Sequence, residues 1–392
     1  MNKIYLLTAA FAVMASLSGC SDTELASIDT VQEKTPIGFH TVGSQMGSRA
    51  TSINSTNLTD YSFNVYAFNR KDDGTDDALF MGTEDTESWT NGGIKISHDG
   101  EKWVYDDPNN LKYWPTNALN FYAVSPVPKK DADPIFYYWK ITQKEKKISY
   151  FSSDEYGSSQ PYIDVMYAIA PNQSKSNKGG KVQLKFRHIT SQVVFKAKKQ
   201  PIKNLDVEIK SIKLHNLETN GVFTIPTNRS DFQPVQSDWK YQSHSYTCGL
   251  TVINKDDDEP KITIGTEATD ISTSTPMFLI PQKLTKWATT AASPKTTDQA
   301  DNDKQSYLEI SCKIKLDGSY RIGDENNFGK LYVPFGADWK PGKRYVYTLI
   351  FGGGYDKDGN PILQPINFEP SVEDWVNVDD NTSTDKDISL YQ

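Results

Sequence analysis

The feature that most limits the fold of this 392-residue chain is a repeated pattern of short segments with alternating apolar and polar residues. A period of two is typical of β-strands that bury one face. Phe63, Val65 and Ala67 follow this pattern and predict a half-buried strand. The segment 307–316 repeats it in the second half of the chain. No helical period persists and no repeat has a solenoid spacing, so the pattern indicates an all-β protein.

Turn residues divide the pattern into many short strands, which favours β-sandwiches. The length suggests two domains, each large enough for its own core. We place their boundary in the polar, glycine-containing stretch 172–180, with an N-terminal β-sandwich domain over residues 36–180 and a C-terminal one over residues 181–392. The stretch 182–198 reads as one long strand pattern with a kink at His188.

The N-terminus predicts export. The run Ile4 to Leu17 is apolar and uncharged, about 14 residues long, and suits a signal peptide over residues 1–19. It ends in Leu17-Ser18-Gly19-Cys20, which looks like a bacterial lipobox, so Cys20 is the predicted lipidation site and the outer membrane the predicted location. The alternative is an ordinary secretory signal with a chance cysteine. Residues 20–35 are polar and aperiodic, and we interpret them as a tether.

The net charge limits the possible binding partners, and the positions of the cysteines limit how they could be bonded. The net charge of -8 argues against nucleic acid as a partner, because phosphate binding needs clustered Lys and Arg. Cys248 and Cys312 both lie in alternating segments, on the expected inward faces of strands. An exported protein is exposed to oxidising conditions, so the two could form a disulfide. Two buried free thiols are the alternative.

Local motifs for catalysis or metal binding are missing from the sequence. The five histidines lack the spacing of zinc sites, and there is no nucleophile elbow or phosphate-binding glycine loop. Asp356-Lys357-Asp358-Gly359-Asn360 resembles the start of a calcium loop, but the required Gly and Glu are replaced by Pro361 and Asn367. A hairpin turn explains it better. We predict no metal, no cofactor and no enzymatic activity, although the two carboxylates of a glycosidase leave no local motif.

Several motifs occur in the order found in the fimbrillin family of Bacteroidales-type pili, and the chain resembles that family over residues 36–378. The segments that carry the resemblance are Tyr113–Pro115, Phe121–Pro126, Leu184–Val193, Gly221–Phe223, Phe278–Gln282, Trp339–Tyr347 and Ile366–Trp375. The family implies two tandem transthyretin-like β-sandwich domains. It also implies export as a lipoprotein, cleavage by a trypsin-like protease after an arginine, and assembly by strand exchange.

Carried over to this chain, the resemblance implies a cut between Arg49 and Ala50, in a small-residue loop after the strand 37–42. An uncut loop arginine is the alternative. Removal of that strand would expose a groove that accepts a strand from the next subunit, and such head-to-tail contacts form filaments. The best donor strand is the end of the chain, where Ile388 and Leu390 share one face. Val376 and Val378 alternate in the same way and are the candidates for an earlier part of the donor strand.

The resemblance therefore predicts a structural subunit of a cell-surface fimbria that supports adhesion. Its expected partners are other fimbrial subunits, the outer membrane through the lipid, and an arginine-specific protease. The alternative is a tip or accessory adhesin that binds host protein or glycan without polymerising in the stalk. A glycan-binding or glycan-cleaving surface lipoprotein is a more distant option.

Overall fold

The structure is a computed structural model, and part of the chain is described by it. The described residues are 34–41, 53, 57–83, 92–128, 137–152, 163–242, 250–254, 261–271, 277–352, 356–359 and 367–374.

Strands dominate these residues. Those of the first half are β1 (Gly38–Thr41), β2 (Phe63–Arg70), β3 (Asp76–Met81), β4 (Ile94–His98), β5 (Trp103–Tyr105), β6 (Leu119–Ser125), β7 (Tyr137–Ile141), β8 (Lys146–Phe151) and β9 (Met166–Gln173). The middle of the chain forms β10 (Lys181–Leu184), β11 (Phe186–His188), β12 (Ser191–Lys199), β13 (Leu205–His215), β14 (Asn220–Thr224), β15 (Trp239–Tyr241), β16 (Leu250–Asn254), β17 (Ile262–Thr263) and β18 (Thr269–Asp270). The remainder forms β19 (Met277–Leu279), β20 (Lys283–Leu284), β21 (Tyr307–Leu316), β22 (Ser319–Ile322), β23 (Gly329–Pro334), β24 (Ala337–Asp338), β25 (Lys343–Phe351) and β26 (Asn367–Asp374).

Helices are short in the described part of the chain. The α-helix α1 (Thr297–Asn302) begins with a capping box, in which Thr296 and Gln299 satisfy each other's backbone amides. Single 3₁₀ turns cover Leu58–Asp60, Pro108–Asn110, Asn177–Gly180 and Gln236–Asp238. The prediction of an all-β protein is confirmed.

The largest sheet of the first half has seven strands, in the order β11-β9-β6-β2-β4-β5 with β3 also paired to β2. Both of its faces are covered. On one face, Phe63 and Val65 share an apolar cluster with residues of β1 and β10. On the other face, Tyr66 and Phe68 pack in a second cluster beneath the four-stranded sheet β15-β14-β8-β7. The prediction that β2 is half-buried is therefore wrong, because a second layer buries its other face as well.

The second half contains a five-stranded sheet, β18-β12-β25-β26 with β19 paired to β12, and a six-stranded sheet, β16-β13-β21-β22 with β17 and β23 on its central strands. Their inward side chains form one apolar cluster, in which the rings of Phe195, Phe335 and Tyr347 are all in mutual contact. Trp339 is fully buried there, and its Nε1 donates a 2.9 Å hydrogen bond to the hydroxyl of Tyr347. The arrangement is a sandwich of two sheets.

The stretch after Gly180 is divided into three strands, and not into the single kinked strand that the sequence pattern predicted. β10 pairs in parallel with β1, β11 pairs with β9, and β12 joins the five-stranded sheet. The four-stranded sheet likewise combines β7 and β8 with β14 and β15. Strands on the two sides of residue 180 thus share sheets, and the tandem division at 180/181 stays a prediction.

Candidate functional site: the N-terminal strand and its groove

The site begins with β1, the first strand of the described chain. β1 forms a two-stranded parallel sheet with β10, in which Gly38 lies opposite Lys181 and Thr41 opposite Leu184. Ile37 and Phe39 point inward and are 1% and 6% exposed, whereas His40 is exposed. The apolar residues that alternate in the sequence are therefore the ones that the structure buries.

The Phe39 side chain lies in an aromatic pocket. Its ring centroid is 5.9 Å from that of Phe63, 6.0 Å from that of Tyr105 and 6.3 Å from that of Phe121. Two of these contacts are edge-to-face, the geometry that aromatic quadrupoles favour. We call the channel that β1 fills, bounded by β10, β5 and the apolar face of the seven-stranded sheet, the β1 groove.

Three hydrogen bonds fix β1 in this groove from the side opposite β10. The backbone amide of Ile37 donates to the carbonyl of Lys112 at 2.9 Å. The Tyr105 hydroxyl donates to the carbonyl of Ile37 at 3.1 Å. The Trp103 Nε1 donates to the Thr41 hydroxyl at 2.9 Å. Burial raises the pKa of Tyr105 to about 12, so its hydroxyl stays protonated and able to donate at physiological pH.

Gly180 allows the segment before β1 and the side chain of Trp114 to approach the backbone closely. Its φ of 81° lies in the left-handed region, and a Cβ there would lie 3.0 Å from Thr35 Cγ2 and 3.2 Å from Trp114 Nε1. The Trp114 indole donates to the Gly180 carbonyl at 2.9 Å, and the Trp114 amide donates to the Thr35 carbonyl at 3.0 Å. Glycine is needed here because of both the backbone angle and the close approach.

Most of the residues that the sequence singled out lie outside the described part of the chain. These are the lipidation site Cys20, the cleavage pair Arg49 and Ala50, Cys248, and the donor residues Ile388 and Leu390. Their roles stay predictions. The described residue nearest to the cleavage pair is Ile53, which is 1% exposed and belongs to the same apolar cluster as Phe39.

Cys312 lies in the middle of β21 and forms no disulfide with any of the described residues. It is fully buried among apolar side chains, which raises the pKa of the thiol to about 12. The inward position agrees with the alternation in the sequence. Pairing with Cys248 stays a prediction.

Neither a metal cluster nor a membrane-spanning helix is found in the described residues. No group of three or more His, Cys, Asp or Glu side chains in these ranges has an arrangement that could hold a metal ion. Within the same ranges, none of the helices has the length and apolar character needed to cross a bilayer.

The sequence did not identify the residues that line the β1 groove. Phe121 belongs to one of the quoted motifs, but no pattern in the sequence identifies it, Trp103 or Tyr105 as a neighbour of Phe39. A local sequence pattern cannot show that these residues are neighbours, because 62 positions separate Trp103 from Thr41. The exposure pattern of β5, in which all three residues are partly buried, does not differ from that of an ordinary edge strand.

Comparison with solved structures finds several that are similar to this chain. A crystal structure of a fimbrial protein from Bacteroides vulgatus ATCC 8482 is similar to this chain with a TM-score of 0.56 at 16% identity, covering 87% of this chain and 99% of that one. A Bacteroides ovatus ATCC 8483 protein assigned to cell adhesion has a TM-score of 0.44 at 15% identity, with coverage of 88% and 98%. The tip fimbrial protein Mfa3 from Porphyromonas gingivalis, solved with a C-terminal truncation, has a TM-score of 0.36 at 11% identity, with coverage of 80% and 94%.

No curated protein matches the chain in a sequence comparison. The match to protein families is extensive, however, because the fimbrillin-like family matches residues 48–375, which is most of the chain. The matched region begins beside Arg49 and includes every wall of the β1 groove, whereas β1 itself precedes it. The chain belongs to the fimbrillin-like family.

Proposed function

We propose that this pilus-related adhesion protein is a structural subunit of a cell-surface fimbria, exported as a lipoprotein through Cys20. A protease cuts after Arg49 and frees β1. The vacated β1 groove then binds a strand from the next subunit, and the repeated contact builds a filament. The protein acts by assembly and adhesion, without catalysis, cofactor or metal.

The observation that carries the proposal is the attachment of β1. Among the described residues, β1 has ladder pairing with β10 alone, and the two form a sheet of their own. It is also held by the inserted side chains of Ile37 and Phe39 and by the three hydrogen bonds at Ile37 and Thr41 described above. A strand held in this way can leave without breaking the ladder of any larger sheet.

An empty groove is unfavourable, which supplies the drive for assembly. Departure of β1 returns to water the apolar walls around Phe39 and an unpaired edge of β10. Burying one large apolar side chain is worth about 1.5–3 kcal/mol. An unpaired strand edge is also a template for β-augmentation. A donor strand with apolar residues two positions apart recovers both contributions.

The donor that we propose is the C-terminal tail, in which Ile388 and Leu390 have the same spacing as Ile37 and Phe39. Val376 and Val378 provide an earlier pair with that spacing. The tail follows β26, whose pairing with β25 forms an edge of the five-stranded sheet.

The test is cleavage of purified protein with an arginine-specific protease, followed by a gel without boiling. A ladder of oligomers is expected. Arg49→Ala and deletion of residues 384–392 should each abolish the ladder, whereas Arg321→Ala, at an exposed position in β22, should not. Cleaved protein that stays monomeric at high concentration would contradict the proposal and favour the alternative below.

The alternative function is a tip or accessory adhesin that binds host protein or glycan without stalk polymerisation. One observation favours it. The outer face of the four-stranded sheet bears a cavity of about 350 Å³ lined by side chains that include Tyr138, Lys140, Lys147 and Lys240. Lys140 lies directly opposite Lys147, an arrangement of like charges that destabilises a sheet unless an anion offsets it.

Glu145 contacts both of these lysines, at 3.0 Å and 2.6 Å, so one carboxylate serves two ammonium groups. An acidic ligand fits the excess of positive charge. Binding to a panel of acidic and neutral glycans distinguishes the functions. Adhesin activity predicts acidic ligands only, with loss of binding in Lys147→Gln and Lys240→Gln and retention in Lys283→Gln, an exposed lysine on β20.

A further inference from the structure

The motif Phe186-Arg187-His188 contributes to the resemblance, and its phenylalanine belongs to the apolar cluster that contains Phe39, whereas its histidine lies outside that cluster. The structure gives His188 a specific contact. His188 is fully buried on β11, and its Nδ1 lies 2.8 Å from an Oδ1 of Asp164, which is 2% exposed. A buried carboxylate is costly unless it is paired and hydrogen-bonded, so this pair requires a structural or functional reason.

The second carboxylate oxygen of Asp164 supplies that reason. Its Oδ2 accepts a 2.8 Å hydrogen bond from the backbone amide of Ile53, 111 positions away in the sequence. The Ile53 side chain is 1% exposed and packs in the cluster that also contains Ile37 and Phe39. One aspartate thus joins β11 to the backbone at residue 53.

The position of Ile53 matters because Ala50 is only three residues before it. Three residues span at most about 11 Å, so a new amino terminus at Ala50 would stay close to this fixed point. Among the described residues, the next buried one is Leu58, which lies shortly before β2. On the other side of the cut, β1 is held by β10 and by the three hydrogen bonds described above.

We infer that Asp164, oriented by His188, is a positioning residue that anchors the chain at Ile53, so that cleavage after Arg49 frees β1 and nothing beyond it. The anchor keeps Ile53 in the apolar cluster and preserves that wall of the β1 groove for the incoming strand. This inference rests on the proposed cleavage for its purpose, but the anchor itself exists in the uncut chain.

The experiment measures amide hydrogen exchange in the peptide that contains Ile53, first in the uncut protein. A hydrogen bond to a buried carboxylate is among the stronger ones, so Asp164→Ala should speed exchange at this amide by about tenfold or more. Asp164→Asn keeps an oxygen that accepts from the Ile53 amide and should restore most of the protection.

Asp76→Ala is the matched control. The side chain of Asp76 is also buried and forms an ion pair with Lys146, and loss of its carboxylate destabilises the fold as well. It should leave protection at Ile53 near the wild-type level. Exchange at Ile53 that is unchanged in Asp164→Ala, or raised equally in Asp76→Ala, would overturn the inference.

The same variants are then cut with the arginine-specific protease and treated briefly with thermolysin, which cleaves before Ile and Leu. The wild-type fragment that begins at Ala50 should keep Ala50 as its amino terminus. The corresponding fragment of Asp164→Ala should be shortened so that it begins at Ile53 or Leu58. Equal trimming of both proteins would overturn the inference. If no cut occurs after Arg49, the proposed function fails, and the exchange measured in the uncut protein still decides whether Asp164 is the anchor.

Discussion

Trp103 and Thr41 are joined by a 2.9 Å hydrogen bond from the indole Nε1 to the threonine hydroxyl. The bond connects β5, an edge of the seven-stranded sheet, to the last residue of β1. It attaches β1 at the end that is nearer in sequence to Arg49. Under the proposed cleavage after Arg49, the strength of this contact would influence how readily β1 leaves.

A double-mutant cycle tests that contact. Trp103→Phe keeps an aromatic ring against Phe63 but removes the donor, and Thr41→Val removes the acceptor with little change of shape. Each single change should lower the free energy of unfolding by about 0.5–1.5 kcal/mol. Chemical denaturation should give a coupling energy of about 1 kcal/mol. The control pair is Thr41→Val with Trp114→Phe. The Trp114 indole donates to the carbonyl of Gly180 and not to Thr41, so the two changes in unfolding free energy should be additive.

The aromatic pocket gives a larger effect. Phe39→Ala should lower the free energy of unfolding of the intact chain by about 3–5 kcal/mol, because it leaves a cavity among Phe63, Tyr105 and Phe121. His40→Ala, one residue along on the exposed face, should change it by no more than about 0.5 kcal/mol. Similar losses in the two variants would mean that β1 does not insert Phe39 into the core.

Ionisation of Tyr105 should weaken the attachment of β1 at alkaline pH. Burial raises its pKa from about 10 in the unfolded chain to about 12 in the native state. The native state thus retains a proton that the unfolded state loses, so this contribution is complete below pH 10 and is lost as the pH rises towards 12. Compared with Tyr105→Phe, which cannot titrate, the wild type should lose more stability between pH 9 and pH 11, measured by denaturant unfolding. Parallel losses in the two proteins would contradict this assignment.

Lipidation is tested at the predicted acceptor. Cys20→Ser should abolish labelling with a fatty-acid probe and remove the protein from outer-membrane fractions, because the modified thiol is absent. Cys248→Ser is the control and should be labelled like the wild type. Labelling of Cys20→Ser at the wild-type level would show that Leu17-Ser18-Gly19-Cys20 is not a lipobox.

Local pattern was sufficient to predict the strand class and the orientation of β1. Alternation at Ile37, Phe39 and Thr41 depends only on the two-residue period of a strand, and the structure has the same inward face. The same reasoning placed Cys312 on an inward face of β21. These features are decided within one strand and need no knowledge of what packs against it.

Features set by a second layer could not be predicted in this way. The alternation of Phe63, Val65 and Ala67 predicts one buried face of β2, whereas Tyr66 and Phe68 on the other face are buried by the four-stranded sheet. The walls around Phe39 come from β2, β5 and β6, which are brought together by the topology and not by any local spacing. The anchor at Ile53 has the same origin, since its carboxylate is 111 positions away.

The parallel pairing of β1 with β10 has a consequence for the direction of any replacement. In the direction of β10, Ile37 comes first, just before the paired residues, and Phe39 comes second, opposite Val182 and in the aromatic pocket. A strand that binds parallel to β10, as β1 does, places its earlier residue at the Ile37 site and its later residue at the Phe39 site. A strand that binds antiparallel to β10 places them in the opposite order. If the two pockets select side chains by size, the groove distinguishes a sequence from its reversal, and a fibre assembled through it acquires a polarity that is encoded in the chain.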